Sequence, residues 1–264
     1  MLRLAFITLA LLSLQACVTP IPLSEQSPNL DFSKDGKLLV SVIDQRERVN
    51  KGKKDTFVGV AHGSFGIPVD WHVKNVLATE KLDINRNLSQ FLEHRITTGL
   101  NQRGWNAEAV DFSQVPSNEA AIEKMTDAEA TSLLVLNLNE WYFSINLNWV
   151  TAFNFDTNSD VVVYHLQDGN VLNKNFTGRD VIEETASESP QNNVLRAYRD
   201  QLLEMFNDPD VRAALLATTP AMAETEASDY DSPNVDTEAA ADTSNTDAPL
   251  PISSETKAEP LASN

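Results

Sequence analysis

The chain has 264 residues, a formal net charge of −18, a hydrophobic share of 42% and one cysteine. So acidic a chain argues against nucleic acid, which rewards basic surfaces, and a single thiol excludes an internal disulfide framework. The charge is uneven, because residues 218–264 hold ten acids and one base and so carry half of the total.

The chain begins Met1-Leu2-Arg3, continues with mostly apolar residues 4–12, and places the small Ala16 before Cys17. This is the layout of a secretory signal, and the apolar run is too short for the roughly 20 residues that span a bilayer. Leu14-Gln15-Ala16-Cys17 resembles the bacterial lipobox. The resemblance implies that residues 1–16 are a signal peptide cleaved before Cys17. It also implies that the cysteine sulfur and its new amine are acylated with palmitate-type chains. Val18 rather than Asp at the next position implies sorting to the outer membrane of a Gram-negative bacterium, with the domain facing the periplasm. No cofactor is expected beyond this covalent lipid on Cys17.

Residues 17–34 contain Pro20, Pro22 and Pro28 among polar residues and predict a flexible tether. Residues 35–217 predict one periplasmic domain, long enough for a single sizeable core. A β-rich run predicts a strand over 38–43. The connection 44–82 is too long to be structureless and should hold a short hairpin. Ile84, Leu88, Phe91, Leu92, Ile96 and Leu100 form one stripe, predicting a helix over 84–102 capped by Asp83 and stopped at Gly104. A short strand over 105–110 and a weakly amphipathic helix over 120–130 follow.

Leu134, Leu136 and Leu138 put apolar residues on even positions, whereas Trp141, Phe143, Ile145, Leu147 and Trp149 put them on odd ones. A period-two pattern changes phase only by inserting a residue, so a bulge is predicted near Glu140, with a turn over 146–148. Residues 153–166 and 171–181 flank Asp168-Gly169, a tight-turn pair, and complete a three-strand antiparallel meander. Ser189-Pro190 and Asp208-Pro209 each combine a cap with proline at the first helical position. They predict a long helix and then a short one ending at Leu216. Residues 218–264 lack large apolar residues and predict a disordered acidic tail.

No catalytic constellation emerges. His62, His72, His94 and His165 have neither metal spacing nor an HExxH pair. His62-Gly63-Ser64-Phe65-Gly66 lacks the first glycine of a nucleophile elbow, and no Gly-Lys-Ser/Thr phosphate cradle is present. Two groups remain as candidate interaction residues. Arg46, Arg48, Lys51, Lys53 and Lys54 form a basic cluster in an acidic body, read either as a contact for anionic lipid heads or wall carboxylates or as a solvated loop. Trp141 and Trp149 are read either as a glycan-stacking row or as the buried face of a sheet under the two helices.

The element order predicts an α+β fold: an antiparallel-rich mixed sheet packed against two main helices. The chain resembles the YajG-type family of outer-membrane lipoproteins. The match rests on the lipobox, Val42-Ile43-Asp44-Gln45-Arg46, the helix closing on Arg103-Gly104-Trp105 and Leu134-Val135-Leu136-Asn137-Leu138. It extends to Asp168-Gly169 with Val171-Leu172 and to Asp208-Pro209-Asp210-Val211. The resemblance implies location and fold but supplies no activity. The reading is therefore a non-enzymatic, outer-membrane-anchored interaction or assembly domain with an envelope-protein or cell-wall partner. The alternative is a small-ligand or peptidoglycan-binding lipoprotein.

Overall fold

The run Lys37–Asp44 forms β1, whose inner six residues are all buried. Burial on both faces is what a near-continuous apolar strand in the middle of a sheet requires. β1 pairs in parallel with β4 (Asn106–Ala109) on one side and β5 (Ser132–Asn146) on the other. β5 then pairs with β6 (Val150–His165), and β6 with β7 (Gly169–Glu183), both antiparallel. The hairpin β2 (Phe57–His62) and β3 (Pro68–His72) joins along the second half of β5. The computed structural model describes residues 19–63, 66–146, 150–183 and 189–217, and these seven strands form one mixed sheet. The expected α+β class, meander and insertion hairpin are all present.

The helices are α1 (Leu23–Gln26), α2 (Glu47–Asn50), α3 (Val73–Val76), α4 (Leu88–Gln102), α5 (Asn118–Asp127), α6 (Pro190–Asn207) and α7 (Pro209–Leu216). One face of the sheet carries Leu38, Val40 and Val42 of β1 with Leu134, Leu136 and Leu138 of β5, packed under α4 and α6. The register of β5 against β6 slips between Leu138 and Glu140. That bulge lets Trp141, Phe143 and Ile145 continue the same buried face, as the change of parity requires. The opposite face is covered at its first half by α5, which sets Ala121 and Met125 against Leu39, Leu133, Val135, Val162 and Tyr164.

Both proline-led helices start as the sequence predicts. The Ser189 side chain accepts from the Asn192 amide, and Asp208 accepts from Asp210 and Val211. Gly104, at φ +91, ends α4 in the left-handed region that glycine favours. The start of that helix is different. Asn87, not Asp83, caps it, and its side chain accepts from the Gln90 amide. Ile84 falls instead in a 3-10 turn, Lys81–Asn85, and is 54% exposed. Asp83 is taken by buried arginine pairing, which a stripe of apolar residues does not reveal.

The tether expectation is corrected for the residues described. Leu30 and Phe32 lie in the main core, and Ile21 is 7% exposed. Trp105 donates to the Phe32 carbonyl at 2.9 Å. A Cβ on Gly99 would collide with the Pro28 carbonyl oxygen, so α4 and this segment meet at a backbone contact distance that only glycine permits. The prolines confine regular structure here to the single turn of α1 but leave Ile21, Leu30 and Phe32 free to bury, and burial decides. The predicted β5–β6 turn and Trp149 lie outside the described residues, as do 1–18 and the acidic tail.

Candidate functional site

One edge of β5 is shared. Its residues 132–138 pair with β1 and its residues 143–146 with β2. Between the end of β1 and the start of β2 a gap opens opposite the bulge, and Arg46 fills it. Its guanidinium forks onto the Asp44 carboxylate at 2.8 and 2.7 Å. It also donates to the carbonyls of Phe57 (2.7 Å), Trp141 (3.3 Å) and Asp55 (3.2 Å). The side chain is 1% exposed. A planar head with five donors suits this task, because it satisfies several otherwise orphaned carbonyls at once.

Arg46 is therefore no contact residue, and the basic cluster does not act as a unit. Arg48 lies 3.9 Å from the centroid of the Tyr142 ring and pairs with Glu140 at 3.1 Å. Lys51 pairs with Glu47, and Lys53 with Asp70, while Lys54 is exposed. Neutralisation by neighbouring acids dissolves the patch that the run of basic residues suggests. Trp141 is corrected as well. It is 0% exposed, edge-on to Phe155 and Tyr198, so it offers no platform to a glycan.

The surface that no described element covers is the second half of the sheet's other face. Here the meander presents polar side chains in register. Asp160 accepts from Asn139 (2.8 Å), Asn175 (2.7 Å) and Asn137 (3.2 Å). Asn158 accepts from Asn175 (2.8 Å) and Asn139 (3.3 Å), and Thr177 donates to Asn175. Farther along, Arg179 forks onto Asp156. Burial tends to raise the Asp160 carboxyl, but the three amide donors outweigh it and hold the group below the usual range. The ladder is cross-strand pairing of the kind that fixes register, and it stands as a preorganised, polar surface. In the sequence, Asn137 and Asn139 show only as the residues that alternate with Leu134, Leu136 and Leu138, and Asn158 and Asp160 only as part of the strand over 153–166. Their common parity within each strand, odd in β5 before the bulge and even in β6, was the signal that they share one face.

A cleft of about 460 Å³ lies beside α4, lined by Leu82, Arg86, Gln90, Glu93, His94 and Asp111 among others. Glu93 is 6% exposed, and its Oε1 accepts from the Val42 amide at 2.9 Å. It thus serves a donor of β1 that the short β4 does not reach. Burial pushes its carboxyl up to about 7; the Val42 amide opposes the shift, and Asp111 adds to it. An acid whose folded pKa is raised binds its proton more tightly in the native state, so the fold loses stability as pH rises through this range. We expect urea denaturation midpoints to fall between pH 4.5 and 7.5. Glu93→Gln keeps the acceptor for Val42 and should flatten that slope; an unchanged slope would refute the assignment.

Among the described residues, Glu80, Asp83 and His94 offer ligand atoms within 4.8 Å of one another. The set does not suit a cation. Burial works against ionising Asp83, but Arg95 (2.6 Å to Oδ2), the Thr79 amide and Arg86 hold its carboxyl low. A divalent ion would have to displace two guanidinium groups. His94 meets Glu80 at 3.1 Å, His72 meets the Thr56 hydroxyl, and His165 meets the Ala214 carbonyl at 2.8 Å. Each of these three histidines has a local hydrogen-bonding role.

No family model matches the chain, and no curated protein does. Solved structures are similar in chain path. A Xanthomonas campestris protein under the family model DUF330 aligns with TM-score 0.38 at 14% identity, over 71% of this chain and 87% of its own. Lipoprotein GNA1162 from Neisseria meningitidis aligns at 0.31 and 8%, over 65% and 98%. The LpoB C-terminal domain from Salmonella enterica aligns at 0.22 and 11%, over 61% and 93%. At these scores no function follows from the likeness. No helix among the described residues is long and apolar enough to cross a membrane.

Proposed function

We propose that the chain is an outer-membrane lipoprotein, acylated at Cys17, whose body is a non-enzymatic docking domain facing the periplasm. The observation that carries the docking half is the uncovered polar face of β5–β7. Its side chains are locked to one another by Asp160 and Asn158, and so are ordered before any partner arrives. Preorganisation of this kind lowers the entropy cost of association. β7 adds a second feature. It pairs only with β6 among the described strands, so its other edge has no strand partner there. The lipobox and the resemblance to YajG-type lipoproteins support the location. The partner is an envelope protein that meets amides and charges rather than an apolar groove. With Trp141 buried, the glycan-binding alternative loses the described half of its stacking row.

A photo-crosslinking residue at position 175 tests the docking face in cells. We expect it to give a discrete adduct with one envelope protein. The same residue at Lys124, on the exposed side of α5, should give none. Equal background at both positions would remove the face from consideration.

A further inference from the structure

The start of the described chain is fastened rather than loose. The Ile21 amide donates to Asn192 Oδ1 at 3.0 Å, and Asn192 Nδ2 donates to the Thr19 carbonyl at 3.2 Å. Gln26 donates to the Ile21 carbonyl at 2.6 Å and to Thr79 at 2.9 Å. Asn192 belongs to the first turn of α6, so Thr19 is held at that helix's N-terminus. Only Val18 separates it from Cys17. Two residue steps span at most about 7 Å, whatever their conformation.

The topology says which end of the sheet this is. α6 runs from the end where β7 finishes toward the end where β7 begins, since Gln201 meets Thr157 in mid-sheet and Asp208 meets Lys174 near the start of β7. β2 finishes at that first end too, with His62 in register with Asn146, and Val150 opposite Asn146. The β2–β3 hairpin turns there, and it leaves Ile67 62% and Val69 50% exposed. These two aliphatic side chains, two residues apart at the hairpin end, give that end of the domain a small apolar surface.

We propose that this end of the domain rests on the bilayer holding the anchor, with Ile67 and Val69 set into the headgroup region and the polar β5–β7 face standing clear of it. The inference rests on acylation of Cys17. It replaces a domain swinging on a tether with one held at a fixed pose. The occupant is a lipid surface because the chain itself delivers that surface to within one residue of Thr19.

The test uses the mature full-length lipoprotein reconstituted in vesicles of phosphatidylethanolamine and phosphatidylglycerol. With the Cys17 sulfur alkylated, a cysteine introduced by Ile67→Cys is the one free thiol and takes an environment-sensitive fluorophore. Val171→Cys, at the opposite end of β7, is the control. Nitroxide-bearing lipids should abolish most of the emission at position 67 and leave position 171 unquenched. Flotation with the vesicles but equal quenching at both sites would overturn the pose alone. Failure to float would overturn the anchor, and the pose with it.

Discussion

Arg46→Met is expected to destabilise the domain by about 3–5 kcal/mol, the usual cost of removing one partner of a buried ion pair. The loss has two sources. The Asp44 carboxylate, 11% exposed, is left without its guanidinium. The carbonyls of Phe57, Trp141 and Asp55 lose donors at the point where β5 changes neighbours, and an unsatisfied buried acceptor costs about 1–3 kcal/mol. For a domain of this size roughly 2–4 °C of Tm accompany each kcal/mol, so melting should drop by on the order of 10 °C. Arg46→Lys should recover only part, because one ammonium cannot span the same acceptors. Arg48→Ala is the contrast. Its partner Glu140 is reached across a half-exposed surface, and such pairs contribute about 1 kcal/mol at most. Urea denaturation of the three variants checks this. Equal losses at 46 and 48 would show that the seam is not held by Arg46.

Cys17→Ser should move the protein from the membrane fraction to the soluble periplasm almost completely. The variant is best made with residues 1–16 exchanged for a secretory signal that is cleaved without lipidation, so that no uncleaved apolar segment anchors the chain. Each buried methylene contributes about 0.8 kcal/mol, and stable anchoring takes more than one chain. Three acyl chains meet that condition, and a serine hydroxyl receives none of them. Ile67 and Val69 are too small an apolar surface to hold the domain alone. Fractionation followed by immunoblotting reads the result, and retention of the serine variant at the outer membrane would contradict it.

Much of this fold is written locally. The parity change at Glu140 forces the bulge because a strand has only two faces. Ser189-Pro190 and Asp208-Pro209 start helices because a cap and a fixed φ need no tertiary help. What resists local reading is the fate of polar groups. Arg46 belongs by composition with Arg48 and the lysines, and nothing in a run of basic residues says that one of them plugs a seam between two strands distant in sequence. Asp83 sits where a cap is expected, yet Arg95 and Arg86 claim it. The segment 19–34 has the composition of a linker, but three apolar residues at separated positions bury it. Asp44 and Arg46, one at the end of a strand and the other at the head of a basic run, form the buried pair. The polar face of the meander was legible only as the alternation within β5. Its ladder depends on the pairing of Asn139, Asn158, Asp160 and Asn175 across three strands, which register alone creates.

The central claim is that the chain is moored through its one sulfur. The most direct measurement is the mass of the N-terminal peptide of the mature protein, isolated from outer membranes after proteolysis. The expected peptide begins at Cys17 and carries acyl chains on both its sulfur and its amine. An unmodified peptide that reads through Ala16 into Cys17 would contradict it.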